Sequence, residues 1–207
     1  IITPAAYCGV TGFRPSYGLV SRRGAMSLAW TLDKIGPLCR SAEDCGIVLQ
    51  AIAGSDPEDP GSARRGFTFA PQFDRKLSDF TVGYAPADFE NVTADARPAL
   101  AEALDAVKKL GVRIKEIKIP DFPYSALIQT IIGAEAAAIF EDLIRDGRVD
   151  QLADRHQAAS LKAALDIPSL AYLKAMRIRA MAQQAMREIF YSGVDLILTP
   201  SRGEAAG

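Results

Sequence analysis

Thr3-Pro4-Ala5-Ala6-Tyr7-Cys8-Gly9-Val10-Thr11-Gly12-Phe13-Arg14-Pro15-Ser16-Tyr17-Gly18-Leu19-Val20-Ser21 is the stretch on which the reading of this chain turns. Its apolar runs are short and cut by glycine and proline, so neither a helical nor a strand period develops. The same texture continues to about residue 40. Backbone of this kind makes irregular turns packed on a core, and such turns often carry a site. The texture then changes. Ser41-Ala42-Glu43-Asp44 reads as a helix start, because the Ser41 hydroxyl can accept from backbone N–H groups and both carboxylates meet the positive end of the helix dipole. A helix from Ala42 to Ala53 would carry Ile47, Val48, Leu49 and Ile52, which predicts burial on more than one side, with Gly54 as its stop.

Residues 55–79 read as a polar, solvated connector. Asp56-Pro57-Glu58-Asp59-Pro60-Gly61 holds three carboxylates, but two prolines disrupt the alternating register that a calcium loop needs, so no metal site is expected. From Phe80 the pattern becomes strand, helix, strand. Phe80 to Tyr84 is a short strand candidate, Leu100, Leu104, Val107 and Leu110 recur at helical spacing up to Gly111, and Val112 to Ile117 alternates as a half-buried strand does. This βαβ unit over 80–120 predicts two parallel strands with a right-handed crossover. It lacks a Gly-x-Gly-x-x-Gly turn, so no nucleotide cofactor is expected.

Residues 123–200 are expected to be helical up to a final strand. Tyr124 to Asp146 reads as one helix interrupted only at Gly133. Pro168 suits the first turn of another, which runs through Leu170, Leu173, Met176, Met181, Met186 and Phe190 to Gly193, with the methionines as core filler. Val194 to Pro200 reads as a buried parallel strand.

Bulk properties set outer bounds. With 49% hydrophobic and 24% charged residues in 207, the composition is that of a globular domain or part of one. A formal net charge of -1 gives no general case for nucleic acid or an anionic membrane. The pairs Arg22-Arg23 and Arg64-Arg65 are too short for a basic patch and read as solvated loop residues. Cys8, Cys39 and Cys45 cannot all pair and fit no zinc spacing, and the single His156 cannot complete one. Free thiols point to the cytoplasm. No run is long enough for an apolar membrane span.

From residue chemistry alone the catalytic inventory is poor. His156 lies in the polar stretch Asp154-Arg155-His156-Gln157 and reads as a surface residue. No Gly-x-Ser-x-Gly elbow, His-Glu-x-x-His or phosphate loop occurs. That reading stops at an α/β domain.

Resemblance takes it further. The opening run resembles the segment that follows the catalytic serine in amidase signature hydrolases. The stretch Ser27-Leu28-Ala29-Trp30-Thr31-Leu32-Asp33-Lys34-Ile35-Gly36-Pro37-Leu38-Cys39-Arg40-Ser41 is similar to a second family block. Asp44 and Ala51 to Pro57 continue the likeness. Ala171 to Ala175 with Arg179, then Asp195 to Pro200, resemble the family's last helix and strand.

The resemblance implies a mixed, largely parallel twisted sheet flanked by helices, incomplete at both ends. Residues 1–207 would be part of a single amidase domain, with 1–54 as its signature-adjacent core. It also implies amide hydrolysis by a Ser–cis-Ser–Lys triad. A serine attacks the carbonyl, a second serine relays its proton to a lysine kept neutral by desolvation, and water releases the acid from the acyl-enzyme. On this alignment the nucleophile immediately precedes Ile1 and all triad residues lie upstream, so the chain by itself is expected to be inactive. No metal and no cofactor are implied.

What remains within the chain is support and specificity. Ile1 to Ala6 would start a short helix whose positive end faces the site, with Pro4 in its first turn. Many family members carry arginine where this chain has Ile2-Thr3, which suggests a neutral or differently anchored substrate. Thr3, Ile2 and Trp30 are the candidate substrate-binding residues, with core packing as the competing role of Trp30. Pro4, Gly9, Asp33 and Gly36 are expected as structural residues near the site, Asp33 by bonding loop amides. Arg179 is expected to pair with a carboxylate. The partner is a small-molecule amide, with a homodimer left open. A non-catalytic scaffold and a glutamine-hydrolysing amidotransferase A subunit remain as alternatives, the latter expected to carry an arginine-rich segment and a longer tail.

Overall fold

A computed structural model describes residues 1–201. The opening run folds as helix α1 (Ile2–Cys8), ended by Gly9 at φ 63 in the left-handed region that glycine adopts without a Cβ penalty. Strand β1 (Thr11–Gly12) follows and pairs antiparallel with β2 (Leu38–Cys39), Thr11 opposite Cys39. A side chain at Gly12 would meet Ala5 Cβ at 2.7 Å, so glycine lets the strand lie directly on α1.

Helix α2 (Ala42–Ile52) starts as its sequence demands, with Asp44 N–H donating to Ser41 Oγ at 3.0 Å. Two expectations for it need correction. The helix ends at Ala53 in extended conformation, because Ala53 bridges Val20 and Gly54 N–H donates to Leu19 O; Gly54 is not a left-handed cap. Burial is one-sided. Cys45 and Leu49, one helical turn apart, are buried, Leu49 against Leu19 and Val20, while Ile47, Val48 and Ile52 are exposed.

Strand β3 (Thr81–Tyr84) is the centre of a three-stranded parallel sheet. Helix α3 (Pro86–Glu90), which the periodicity did not reveal, follows it with Pro86 in the first turn. Helix α4 (Arg97–Lys109) then leads through Gly111, at φ 81, into β4 (Arg113–Glu116). The β3–β4 pair is parallel, as expected, with Thr81 opposite Arg113.

Helix α5 (Tyr124–Ile139) is separated from α6 (Glu141–Arg145) at Phe140 rather than at Gly133. Gly133 stays helical because its missing side chain makes room for Ile167, whose Cδ1 would lie 2.8 Å from an added Cβ. Asp154 starts α7 (Arg155–Ala164) by accepting from His156 and Gln157 N–H, and α8 (Ser169–Tyr191) follows Pro168, which stands just before its first turn. The last strand, β5 (Leu196–Leu198), pairs parallel with β3 and completes the order β4-β3-β5. Among the described residues it is an edge strand with Leu196 exposed, and the buried anchor is Val194 just ahead of it, which corrects the expected buried strand.

α5 organises the helical part. One face packs Leu127 and Ile131 on Ala175 of α8, joined by Leu32, Tyr172 and Met176, and the other packs Ala136 on Ile144, Val149, Ala158 and Leu161. Burying a side chain such as Ile131, 1% exposed, stabilises by about 2 kcal/mol. Of the methionines read as filler, Met176 packs in this core and Met181 is exposed.

Candidate active site

The segment from Ser27 to Pro37 is bonded to Arg22, to Glu135 on α5 and to Arg179 on α8. Its first part is closed by Asp33, whose Oδ2 accepts from Leu28 N–H at 2.8 Å and Ala29 N–H at 2.9 Å. The Asp33 and Leu32 N–H groups return to Ala29 O, and Ala29 is fully buried. The Leu28, Ala29, Leu32 and Asp33 amides thus have partners within the loop itself, as backbone away from water requires.

Trp30 is held by its carbonyl rather than its ring. Trp30 O accepts from Arg22 Nη1 at 2.6 Å and from Tyr17 OH at 2.7 Å. Trp30 is 49% exposed, which overturns core packing, and it lines a pocket of ≈ 400 Å³ shared with Tyr17, Arg22, Arg23 and Asp59. Arg22 stacks on the Tyr17 ring at 4.7 Å. It also forks onto Asp59, with Nη2 to Oδ1 at 2.9 Å and Nε to Oδ2 at 3.3 Å. Arg22 N–H and Gly61 N–H add to the same carboxylate, and these bonds, the Arg22 guanidinium first, hold Asp59 at about 2. Neither Arg22 nor Asp59 is the solvated loop residue the sequence suggested. Asp56, in the same run, is occupied by Ser21 Oγ and Glu58 N–H.

Thr31 points the other way. Its N–H and hydroxyl both donate to Glu135 on α5, at 3.0 and 2.8 Å, and Tyr172 OH donates to the same carboxylate at 2.8 Å. Arg179, on α8, donates to Thr31 Oγ1 and Thr31 O, each at 2.9 Å. The expected carboxylate partner of Arg179 is therefore corrected to a hydroxyl and a carbonyl. Glu135 was legible as the only charged residue in the apolar run from Leu127 to Ile139. Its link to Thr31 spans 104 positions, which no local pattern encodes.

Beyond Thr31 the loop borders a groove of ≈ 540 Å³ between α5 and α8. Leu32, Leu127, Ile128 and Ile131 form its apolar wall, and Met186 closes it from α8. Its charged lining residues are Lys34, Arg179 and Arg187; no carboxylate joins them among the described residues. Lys34 Nζ donates to Leu32 O at 2.8 Å, and burial, followed by Arg14 and Arg179, pushes its amine below the usual 10.5.

At its far end the loop touches the start of the chain. A side chain on Gly36 would strike Phe13 O, Pro15 Cδ at 2.6 Å and Ile1 Cδ1 at 3.1 Å. Of the candidate substrate residues here, Ile2 is half-buried and Thr3 exposed, with Pro4 exposed beside it; α1 has no side-chain cap on its first N–H groups. Gly36 thus draws the groove loop and the α1 segment together, while Trp30 sits in the separate pocket on Arg22. His156 is exposed and caps nothing with its ring. Cys8, Cys39 and Cys45 are free thiols, with Cys45 buried against Thr11 O. Among the described residues no helix is long and apolar enough to cross a membrane.

Comparison with known proteins gives this arrangement its context. A family model described as Amidase matches residues 1–207. The A subunit of the Glutamyl-tRNA(Gln) amidotransferase from Gloeothece citriformis is 33% identical over 222 residues, covering 96% of this chain and 46% of that protein. The crystal structure of its counterpart from Thermotoga maritima superposes with a TM-score of 0.75 at 28% identity, covering 99% of this chain and 45% of that one. A crystal structure described as an amidase gives a TM-score of 0.82 at 25% identity, covering 100% and 44%. The chain spans about half the length of the curated relatives it matches.

Proposed function

The chain belongs to the amidase family, and from that premise we propose that it supplies the rear wall and the substrate groove of an amide hydrolase. On this reading the nucleophilic serine precedes Ile1, and the second serine and the lysine base lie further upstream. Attack on the amide carbonyl forms the acyl-enzyme with release of the amine, and water then releases the acid. α1 and the Gly12 and Gly36 contacts hold the nucleophile's backbone from behind. Chain positions 1–207 act as part of one domain, in the reducing cytoplasm that suits three free thiols. A second copy of the chain is not needed for any contact described above.

The observation that carries the substrate reading is the groove's charge. Lys34, Arg179 and Arg187 stand over an apolar wall without an acidic residue among the described residues, so an amide with a hydrocarbon body and an anionic end fits it best. This supplies the anchor that Ile2-Thr3 does not. The test uses a polypeptide that carries this chain with the residues encoded ahead of Ile1. Amides ending in a carboxylate should be cleaved with kcat/KM at least about tenfold above their neutral methyl esters. Equal rates on both would remove the groove from the account, and no amide cleavage at all would leave a scaffold.

A second reading has direct support, because the curated relatives of this chain include amidotransferase A subunits from several organisms. Glutamine also carries a carboxylate. Ammonia release from free glutamine that rises on addition of the partner subunits would select that reading over a stand-alone amidase.

A further inference from the structure

Glu135 is a buried carboxylate for which amide hydrolysis has no direct use. It is 3% exposed on α5, in a run of small and apolar side chains. A charge in such a place is stable only when its lone pairs are filled. Thr31 N–H, Thr31 OH and Tyr172 OH fill them. Burial, with the carboxylate beside it, pushes the Tyr172 phenol up, so it stays protonated and keeps donating. Among the described residues no cation stands within ion-pair distance of Glu135. Arg179 reaches it only through Thr31.

The chemistry of this chain of bonds has a fixed direction. An ionised carboxylate only accepts, and a threonine hydroxyl has one proton to give. The Thr31 proton is therefore committed to Glu135, which turns the hydroxyl lone pairs to Arg179. The second Arg179 bond, to Thr31 O, completes a fork that leaves other guanidinium donors for a ligand in the groove.

We propose that Glu135 is a positioning residue: through Thr31 it fixes the Arg179 guanidinium in the orientation that receives the anionic end of a groove ligand. This rests on the reading of the groove given above. Replacing the carboxylate by an amide, as in Glu135→Gln, breaks the direction. Whichever way the new amide turns, one of its N–H groups faces the Thr31 N–H or the hydroxyls of Thr31 and Tyr172. In the second case the Thr31 hydroxyl becomes an acceptor from two sides and competes with Arg179.

The experiment titrates the 207-residue chain with 4-phenylbutyrate and with neutral 4-phenylbutanamide. Binding is followed by calorimetry and by the fluorescence of Trp30, the single tryptophan and the neighbour of Thr31. The unaltered chain should prefer the anion, and Arg179→Met should abolish that preference. Glu135→Gln and Thr31→Val should each weaken 4-phenylbutyrate about tenfold while 4-phenylbutanamide stays within about twofold. Thr31→Ser, which keeps the hydroxyl, should restore the preference. A purely structural role would weaken both probes alike and overturn the inference. Loss of preference in Arg179→Met but not in Glu135→Gln or Thr31→Val would overturn it too, while leaving the groove reading intact. A preference absent from the unaltered chain, or unchanged in Arg179→Met, would remove the groove reading and this inference together. Should Glu135→Gln fail to fold, the Thr31→Val and Thr31→Ser pair, which keeps the carboxylate, decides.

Discussion

Arg179 and Thr31, 148 positions apart, are joined by two hydrogen bonds of 2.9 Å. They tie helix α8 to a loop whose other end, at Gly36, lies against Ile1. Helix α8 and the segment that starts the chain thus contact the same loop. The groove between α5 and α8 and the segment at Ile1 are joined through that one loop.

Acid stability should report the buried Arg22–Asp59 pair. Asp59 lies at about 2 in the fold against 3.8 when free, so the folded state binds its proton less readily than the unfolded chain. Its contribution is fully present above 3.8 and is lost as pH falls through about 2. Urea midpoints measured from pH 5 to pH 2 should fall across that window. Asp59→Ala should cost about 2 kcal/mol at neutral pH, because it takes the carboxylate from the part-buried Arg22 guanidinium, and should flatten the acid-dependent part.

Gly36→Ala should destabilise by about 2 kcal/mol or more, since the added methyl meets the Phe13 carbonyl and the Pro15 ring rather than a flexible side-chain end. Thermal melts of the two chains check this. An unchanged midpoint would mean that the Gly36 turn is not packed on the opening segment.

Legibility in the sequence followed the range of each interaction. The Ser41 cap and the Gly111 stop were readable because a cap or a turn depends on residues a few places apart, and the parallel β3–β4 pair followed from the strand, helix, strand pattern. The one-sided burial of α2 was not, because Ile47 and Leu49 differ only in which neighbour faces them. Arg22 and Asp59 read as solvated loop charges, since nothing local shows that they meet across 37 positions. The likeness of the Thr3–Ser21 and Ser27–Ser41 blocks pointed to the family. The Glu135–Thr31–Arg179 connection needed the fold.

Lys34 should acylate with a midpoint pH below the usual 10.5, since burial and the arginines Arg14 and Arg179 disfavour its charged form. Competitive labelling with acetic anhydride across pH 7 to 11, read by peptide mass, measures it. An anion in the groove favours the ammonium and raises the value, so 4-phenylbutyrate should slow Lys34 acetylation at pH 9. No slowing would place the anion elsewhere.

On the proposed reading, the Ile1–Gly36 packing backs a serine nucleophile that precedes Ile1. The most direct measurement treats two polypeptides with a fluorophosphonate probe and maps the adduct by mass spectrometry: the 207-residue chain alone, and the chain extended by the residues encoded ahead of Ile1. The expected result is no adduct on the first and a single adduct on the second, on a serine immediately before Ile1. An adduct on any residue within 1–207, or none on the extended chain, would contradict the account.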